Sequence, residues 1–183
     1  MRKPIDRSKA RVFMGMNYYK LKRYTQWYLK NIRWARTYSK EPLKYTVFQH
    51  QSPLIRNLKS VEMWMQYNKI WNLQLSAEKL NGIFLYPGET FSFWRLIGNP
   101  TRKKGYLKGM VLSHGRVKAG IGGGLCQLSN LIYWMTLHTS LTVTERYRHS
   151  YDVFPDSDRT LPFGSGAKCG YIKNLKRPII YIM

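Results

Sequence analysis

The stretch GIGGGLCQLSN, Gly120–Asn130, decides how the second half of the chain folds. Four of its first five residues are glycine, the residue type that most readily adopts left-handed backbone conformations. A helix is predicted over about Cys126–Thr139, because apolar residues recur there at helical spacing: Leu125, Leu128, Leu131, Ile132 and Met135. The pattern places a sharp backbone turn directly before a thiol at the start of a helix.

Two phosphate-binding interpretations of the glycines fail on sequence. A P-loop needs Gly-Lys-Ser/Thr after its glycines, whereas this chain continues Gly124-Leu125-Cys126. A dinucleotide fingerprint needs a third glycine at position 125, where leucine stands.

A nucleophile at a helix N-terminus is the third interpretation. Unpaired amides and the helix dipole at that end stabilise a thiolate, and the amides around Cys126 and Gln127 would receive an oxyanion. The glycines Gly122, Gly123 and Gly124 would leave space for a substrate. His149, predicted on a strand whose Tyr147 face is half-buried, is the candidate base.

Several residues remain open as supporting groups. Asp158 is the acid we favour for orienting His149, with Asp152, Asp156 and Asn174 as alternatives, and Gln127 and Ser129 are candidates for hydrogen bonds near the thiol. Equally, a cysteine at a helix start is often a small buried residue, and a histidine beside tyrosines often bonds a backbone carbonyl. If the dyad is catalytic, the enzyme is a cysteine-dependent amide or peptide hydrolase or an acyl transferase.

Charge sets the class of partner. The chain of 183 residues carries 31 Lys and Arg against 9 Asp and Glu, a net charge of +22. Such a protein attracts polyanions: nucleic acid, anionic lipid or acidic wall polymers. No helix-turn-helix spacing, zinc finger or RNA-binding signature supports nucleic acid, so we favour a wall precursor peptide or an anionic membrane surface.

The sequence also bounds location and cofactors. Cys126 and Cys169 are too few for a disulfide framework and lack zinc-site spacing, so we expect reduced thiols and neither metal nor cofactor. No signal peptide or membrane-spanning run is evident. We therefore expect a cytoplasmic protein or one peripheral to the membrane.

The first part of the chain reads as a basic helical arm, residues 1–44. Within it, Asn17–Tyr38 interleaves aromatic and basic residues, and its apolar residues predict an amphipathic helix: Leu21, Tyr24, Tyr28, Ile32 and Ala35. Such a helix suits an anionic bilayer, single-stranded nucleic acid or simple packing on the domain.

Residues 45–183 read as one α+β domain. A short strand is predicted at Tyr45–Phe48, and a helix over Val61–Leu75 should bury the face that carries its tryptophans: Val61, Trp64, Trp71 and Leu75. In Asn81–Trp94 two strands should flank a type II turn at Pro87–Gly88.

A hairpin through His114–Gly115 is predicted within Met110–Gly120, followed by one or two strands in Leu141–Phe154. The Cys-bearing helix would then pack on an antiparallel sheet. A strand that carries His149 behind a helix that carries Cys126 is the arrangement of papain-like and transglutaminase-like enzymes.

Several motifs together resemble the VanW family, named for an accessory product encoded with inducible vancomycin-resistance genes. They follow one another as YPGETFSFW (86–94), KKGY (103–106), GGGLCQLSNLIYW (122–134), ERYRHS (145–150) and FPDSDRTLPFGSGA (154–167). The resemblance covers roughly Leu75 to the C-terminus. It implies a cell-envelope protein associated with glycopeptide resistance and peptidoglycan, and it supplies no established reaction.

The positions that match the family motifs are Glu89, Phe91, Ser92, Gly122, Gly123, Gly124, Cys126, Gln127, Ser129, Glu145, Arg146 and His149. The candidate substrate-binding residues are Glu89, Ser92, Gly122, Gly123, Gly124, Gln127, Ser129 and Arg146. Glu89 would hold a peptide amine or cap a helix; a turn-stabilising acceptor or a partner for Arg146 is the alternative. The segment GAKCGYIKNLKRPIIYIM (166–183) compresses the corresponding region of the family and departs from its pattern at Lys168 and Cys169, so we expect a short or truncated form. The second hypothesis is a non-catalytic module that binds wall precursors or a membrane partner.

Overall fold

The computed structural model describes residues 7–41, 43–55, 62–113, 116–148, 167–174 and 180–182, which form a mixed α+β fold. The helices are α1 (Lys9–Tyr28), α2 (Met63–Glu78), α3 (Phe93–Ile97) and α4 (Leu125–Leu137), with a 3-10 turn at Arg102–Lys104. The strands are β1 (Ile83–Leu85), β2 (Thr90–Ser92), β3 (Lys108–Ser113), β4 (Arg116–Ile121), β5 (Thr142–Arg148), β6 (Ala167–Lys173) and β7 (Ile180–Ile182).

The contact pattern divides the chain into two units, Met1–Arg33 and Trp34–Met183. The first contains α1, which begins after the Ser8 cap; the Ser8 hydroxyl accepts a hydrogen bond from the Arg11 amide. The prediction of a helix as far as Tyr38 is wrong, because α1 ends at Tyr28.

The second unit begins at Trp34 with extended chain. Trp34 bridges Thr90, Tyr38 bridges Ile83, and the Ala35 amide donates to the Thr90 carbonyl at 3.0 Å. Trp34 and Ala35 are buried. Backbone partners in the strands and burial in the core outweigh the helical spacing of these residues, which is only a local preference.

The central sheet has the antiparallel order β2-β6-β5, with Phe91 opposite Ile172 and Val143 opposite Ile172 on the other side. Helix α4 packs against β6 and β5. The prediction of a Cys-bearing helix packed on an antiparallel sheet is therefore confirmed. The papain-like or transglutaminase-like arrangement stays a prediction, because His149 lies outside the described residues. Two further antiparallel pairs, β1-β7 and β3-β4, complete the described strands.

Local predictions of turns hold. The Glu89 amide donates to the Tyr86 carbonyl at 3.0 Å, and Gly88 at the third position of this turn has φ 82°, which a type II turn requires. Strands β3 and β4 form the predicted hairpin, whose tip at residues 114–115 lies outside the described residues. No strand forms at Tyr45–Phe48; the Phe48 ring instead stacks on His138, with ring centroids 3.9 Å apart.

Helix α2 occurs as predicted but turns a different face to the core. Trp64 and Trp71, expected inside, are 39% and 49% exposed, so that part of the prediction is wrong. The buried side chains on α2 are mostly polar: Gln66, Lys69, Asn72 and Ser76, with Leu73. Lys69, Asn72 and Ser76 have hydrogen-bond partners outside the helix, whereas Gln66 accepts from Lys69 of the same helix.

Candidate functional site

The glycine run joins β4 to α4 through two left-handed residues. Gly122 has φ 70° and Gly124 has φ 92°, conformations that L side chains rarely adopt. The Gly122 amide donates to the Leu107 carbonyl at 3.0 Å, and the Gly124 amide donates to the Met110 carbonyl at 2.9 Å. Backbone hydrogen bonds therefore join the turn to strand β3 and to the loop before it.

The same glycines are required by close packing. A Cβ on Gly123 would lie 2.1 Å from the backbone carbon of Gly109, and one on Gly124 would lie 2.1 Å from Cγ of Lys69. Both are far inside van der Waals contact. The space expected for a substrate beside Gly123 and Gly124 is occupied by protein atoms. Glycine at position 123 instead lets the backbone of the turn pass in contact with the backbone of β3 at Gly109, a contact that we call the crossing.

Asn72 of α2 holds this crossing in place. Its side-chain amide donates to the carbonyls of Gly123, at 3.0 Å, and Leu107, at 3.1 Å, while its oxygen accepts from the Leu107 amide at 2.9 Å. Asn72 is completely buried. One side chain thus fixes α2, the glycine turn and the entry to β3 relative to one another.

Cys126 is the second residue of α4 and is half-buried. The Ser129 hydroxyl, itself buried, donates to the Cys126 carbonyl at 3.2 Å, and the Gln127 amide donates to the Gly124 carbonyl at 2.9 Å. The amide of Gln127, predicted to help receive an oxyanion, is thus engaged within the first turn of the helix.

A segment that we name the strap, residues 48–54, runs along α4 toward Cys126. His50 lies against Trp134 with ring centroids 6.1 Å apart, and the Gln127 side chain donates to the Pro53 carbonyl at 2.9 Å. The ammonium group of Lys69 donates to the Leu54 carbonyl and, at 2.7 Å, to Oε1 of Gln66. The strap therefore contacts α2 through Lys69 and α4 through Gln127 and Trp134.

Glu89 and Ser92 accept hydrogen bonds from backbone amides at the β1–β2 turn and at the start of α3. The buried Glu89 carboxylate accepts a hydrogen bond from the Tyr86 amide at 3.1 Å, so it stabilises the turn. The Ser92 hydroxyl accepts from the Arg95 amide and caps α3. Asn174, an alternative orienting group for the histidine, follows β6 and donates to the Leu85 carbonyl at 2.8 Å, so it is hydrogen-bonded to this same turn.

Arg146 of β5 contacts the middle of α4. Its guanidinium lies over the Tyr133 ring, 4.0 Å from the centroid, and also donates to the Tyr133 hydroxyl at 3.3 Å. Tyr133 is seven residues after Cys126, which is two helical turns or roughly 10 Å along the axis. Arg146 thus fastens β5 to α4 at some distance along the helix from the thiol.

A family model described as "VanW like protein" matches residues 68–177, more than half of the chain. The chain belongs to the VanW family. It is 39% identical over 123 residues to the Vancomycin B-type resistance protein VanW of Enterococcus faecalis, a match covering 67% of this chain and 45% of that protein.

A second relative of this VanW-family chain is the uncharacterized protein YoaR of Bacillus subtilis, 32% identical over 112 residues. That match covers 60% of this chain and 37% of YoaR. The chain thus spans less than half the length of the curated relatives it matches. No solved structure matches it.

His149 and Asp158, the proposed base and its orienting acid, lie within the VanW match but outside the described residues, as do Asp152 and Asp156. Tyr147, on the strand leading to His149, is 56% exposed, so the expectation of a half-buried tyrosine face is wrong there. The pairing of Cys126 with His149 stays a prediction.

Lys69 and Asn72, which were not singled out from the sequence, lie within the VanW match and contact the glycine turn that precedes Cys126. A signal was present: Lys69 is the single basic residue of α2, in the run WMQYNKIW, and Asn72 follows it by three residues on the same face. A lone lysine in an aromatic helix and a polar residue one turn on indicate a buried polar stripe.

Within the described residues, no group of three or more His, Cys, Asp and Glu side chains is arranged to hold a metal ion. Over the same residues, no helix is long and apolar enough to cross a membrane.

Proposed function

We propose that this VanW-family chain takes part in resistance to vancomycin and acts on, or binds, the peptide part of peptidoglycan precursors at the cell envelope. The family membership and the 39% identity to a protein named for vancomycin resistance support the first part. The net charge of +22 supports the second, because the stem peptide of a wall precursor carries carboxylates.

In the catalytic form of the proposal, Cys126 is the nucleophile. Its thiolate attacks the carbonyl carbon of a peptide bond, and His149 takes the thiol proton and delivers it to the leaving amine. The resulting thioester is cleaved by water, or by a second amine in an acyl transfer. Asp158 orients His149, as in papain-like or transglutaminase-like enzymes.

The position of Cys126 at the second residue of α4 carries this proposal. The amino end of a helix bears partial positive charge and favours a thiolate over a thiol. Lys69 adds a cation near this turn: its side-chain stem lies against Gly124, two residues before the thiol, and its ammonium group donates to the Leu54 carbonyl of the strap. Both effects act in the direction that a cysteine nucleophile requires.

The test is the pH dependence of Cys126 alkylation by iodoacetamide in the full chain carrying Cys169→Ser. We expect half-maximal rate well below pH 8.5, the ordinary pKa of a cysteine thiol, and no labelling of Cys126→Ala. Lys69→Met should move the midpoint upward, whereas Lys103→Met, which removes an exposed lysine of the 3-10 turn, should not. Thermal unfolding of each variant separates electrostatic effects from misfolding.

The catalytic form further predicts a thioester with an electrophilic stem-peptide analogue, detected by mass, which His149→Gln slows at least tenfold. A midpoint at or above pH 8.5, or equal labelling of Cys126→Ala, contradicts a nucleophilic Cys126.

A non-catalytic module for wall precursors is the second candidate. The observation that favours it is the filled space beside Gly123 and Gly124, which gives a reactant no approach from that side. This candidate predicts that muropeptide binding, followed by calorimetry, survives alkylation of Cys126. Loss of binding together with turnover after alkylation counts against it.

A further inference from the structure

Helix α1 carries a large apolar surface that is exposed to solvent. All its residues are described, and none is buried. Eight large apolar side chains on it are between 45% and 72% exposed: Met16 and Tyr19, and a group of six, Phe13, Met14, Tyr18, Leu21, Tyr24 and Tyr28. An exposed apolar surface of this kind marks an interaction site.

The group of six shares one face of α1, whereas Met16 and Tyr19 lie outside it. At 3.6 residues per turn they fall within an arc of roughly 140°, and that arc contains no charged residue. The other members of the arc are small or neutral: Ala10, Asn17 and Thr25. The face is therefore continuous along the whole helix, with tyrosine as its commonest residue.

Basic residues border the face on both sides. Lys9 and Lys20 lie along one edge, Arg11 and Lys22 along the other. Residues 7–33 contain eight Lys and Arg and no Asp or Glu. The helix thus presents an apolar aromatic surface framed by positive charge, with no acidic residue to oppose a negative surface.

We propose that α1 lies in the headgroup region of an anionic bilayer, its uncharged face inserted and its bordering lysines and arginines on lipid phosphates. Tyrosine and long basic side chains both suit the boundary between acyl chains and headgroups. The absence of acidic residues makes the attraction to anionic lipid additive along the helix. This inference stands apart from the chemistry proposed for Cys126.

The test is sedimentation of the full chain with sucrose-loaded vesicles. We expect binding to vesicles of 30% phosphatidylglycerol in phosphatidylcholine to exceed binding to pure phosphatidylcholine at least tenfold, and to weaken with salt. Lys20→Gln with Lys22→Gln should weaken binding about fivefold per charge. The matched control, Lys103→Gln with Lys104→Gln in the exposed 3-10 turn, should leave it within twofold.

The apolar face is tested separately. Phe13→Gln with Leu21→Gln should weaken vesicle binding more than tenfold, because two large side chains no longer insert. Glutamine keeps helix propensity, and circular dichroism checks that α1 persists. Tyr147→Gln, at an exposed tyrosine outside α1, is the control, and Leu21→Met should retain binding.

Equal binding to both kinds of vesicle, or no effect of the face variants, overturns the proposal. So does tighter binding of a single-stranded oligonucleotide that the same face variants abolish, since α1 would then be a stacking surface for bases.

Discussion

Replacing Gly123 by alanine should destabilise the protein strongly, and for a purely steric reason. Among the glycines of the run that do not have positive φ, Gly120 and Gly123, it should have the larger effect. Gly123 does not adopt a left-handed conformation, so the backbone angle itself permits alanine. The added Cβ, however, would lie 2.1 Å, 2.3 Å and 2.6 Å from the carbonyl carbon, oxygen and Cα of Gly109. Those atoms belong to β3 and move only with the strand.

Two costs combine in Gly123→Ala. Forcing a methyl group into a filled site costs about 1–3 kcal/mol. Moving the Gly123 backbone away from Gly109 also stretches the hydrogen bond from the Asn72 side chain to the Gly123 carbonyl. A buried polar group left without its hydrogen bond costs about 1–3 kcal/mol more. The sum is a large fraction of a typical stability of about 5–15 kcal/mol. We expect Tm to fall on the order of 10 °C.

The matched control is Gly88→Ala. Gly88 has φ 82°, but a Cβ there meets nothing within 4 Å, so the cost is backbone strain alone, about 1–2 kcal/mol. Thermal and urea unfolding of both variants and the wild type measure the difference. If Gly123→Ala unfolds within about 2 °C of wild type, the crossing is not close-packed and the argument fails.

Three further predictions concern α2 and the strap. Asn72→Ala should cost about 2–4 kcal/mol in urea unfolding because Gly123 and Leu107 lose buried partners, and a change under 1 kcal/mol contradicts this. Leu73→Ala should lower the free energy of unfolding by about 2–5 kcal/mol and Trp71→Ala by distinctly less, because Leu73 faces the core. A larger loss for Trp71→Ala would mean that the tryptophan face predicted from sequence is the buried one. Gln127→Ala should speed limited proteolysis within the strap, whereas Gln74→Ala should leave it unchanged.

Features that depend on adjacent residues were predictable. Pro87–Gly88 specifies its turn because proline restricts φ and glycine accepts the left-handed angle, and the glycines before Leu125 mark the start of α4 for the same reason. The apolar and polar alternation of β5 and the hairpin of β3 and β4 are likewise local patterns. The VanW motifs were recognisable because they are short and contiguous.

The face of α2 that enters the core was not predictable from its pattern. Tryptophan is ordinarily assigned to the interior, yet Trp71 lies half outside with its ring nitrogen donating to the Gly105 carbonyl at 3.0 Å. Asn72 is inside because two carbonyls and an amide from distant parts of the chain converge on it. A buried polar residue is stabilised by partners that the local sequence does not contain.

The sequence by itself determined the charge of the chain, its family, the turns and the place where the Cys126 helix begins, since each depends on composition or on neighbouring residues. Only the tertiary structure decided that α1 ends at Tyr28, that Trp34 and Ala35 join the core, and that β2 pairs with β6 eighty residues away. It also decided that Gly123 serves a backbone crossing. These outcomes depend on which surfaces meet, and long-range packing and hydrogen bonding outweigh the small free-energy differences among local conformations.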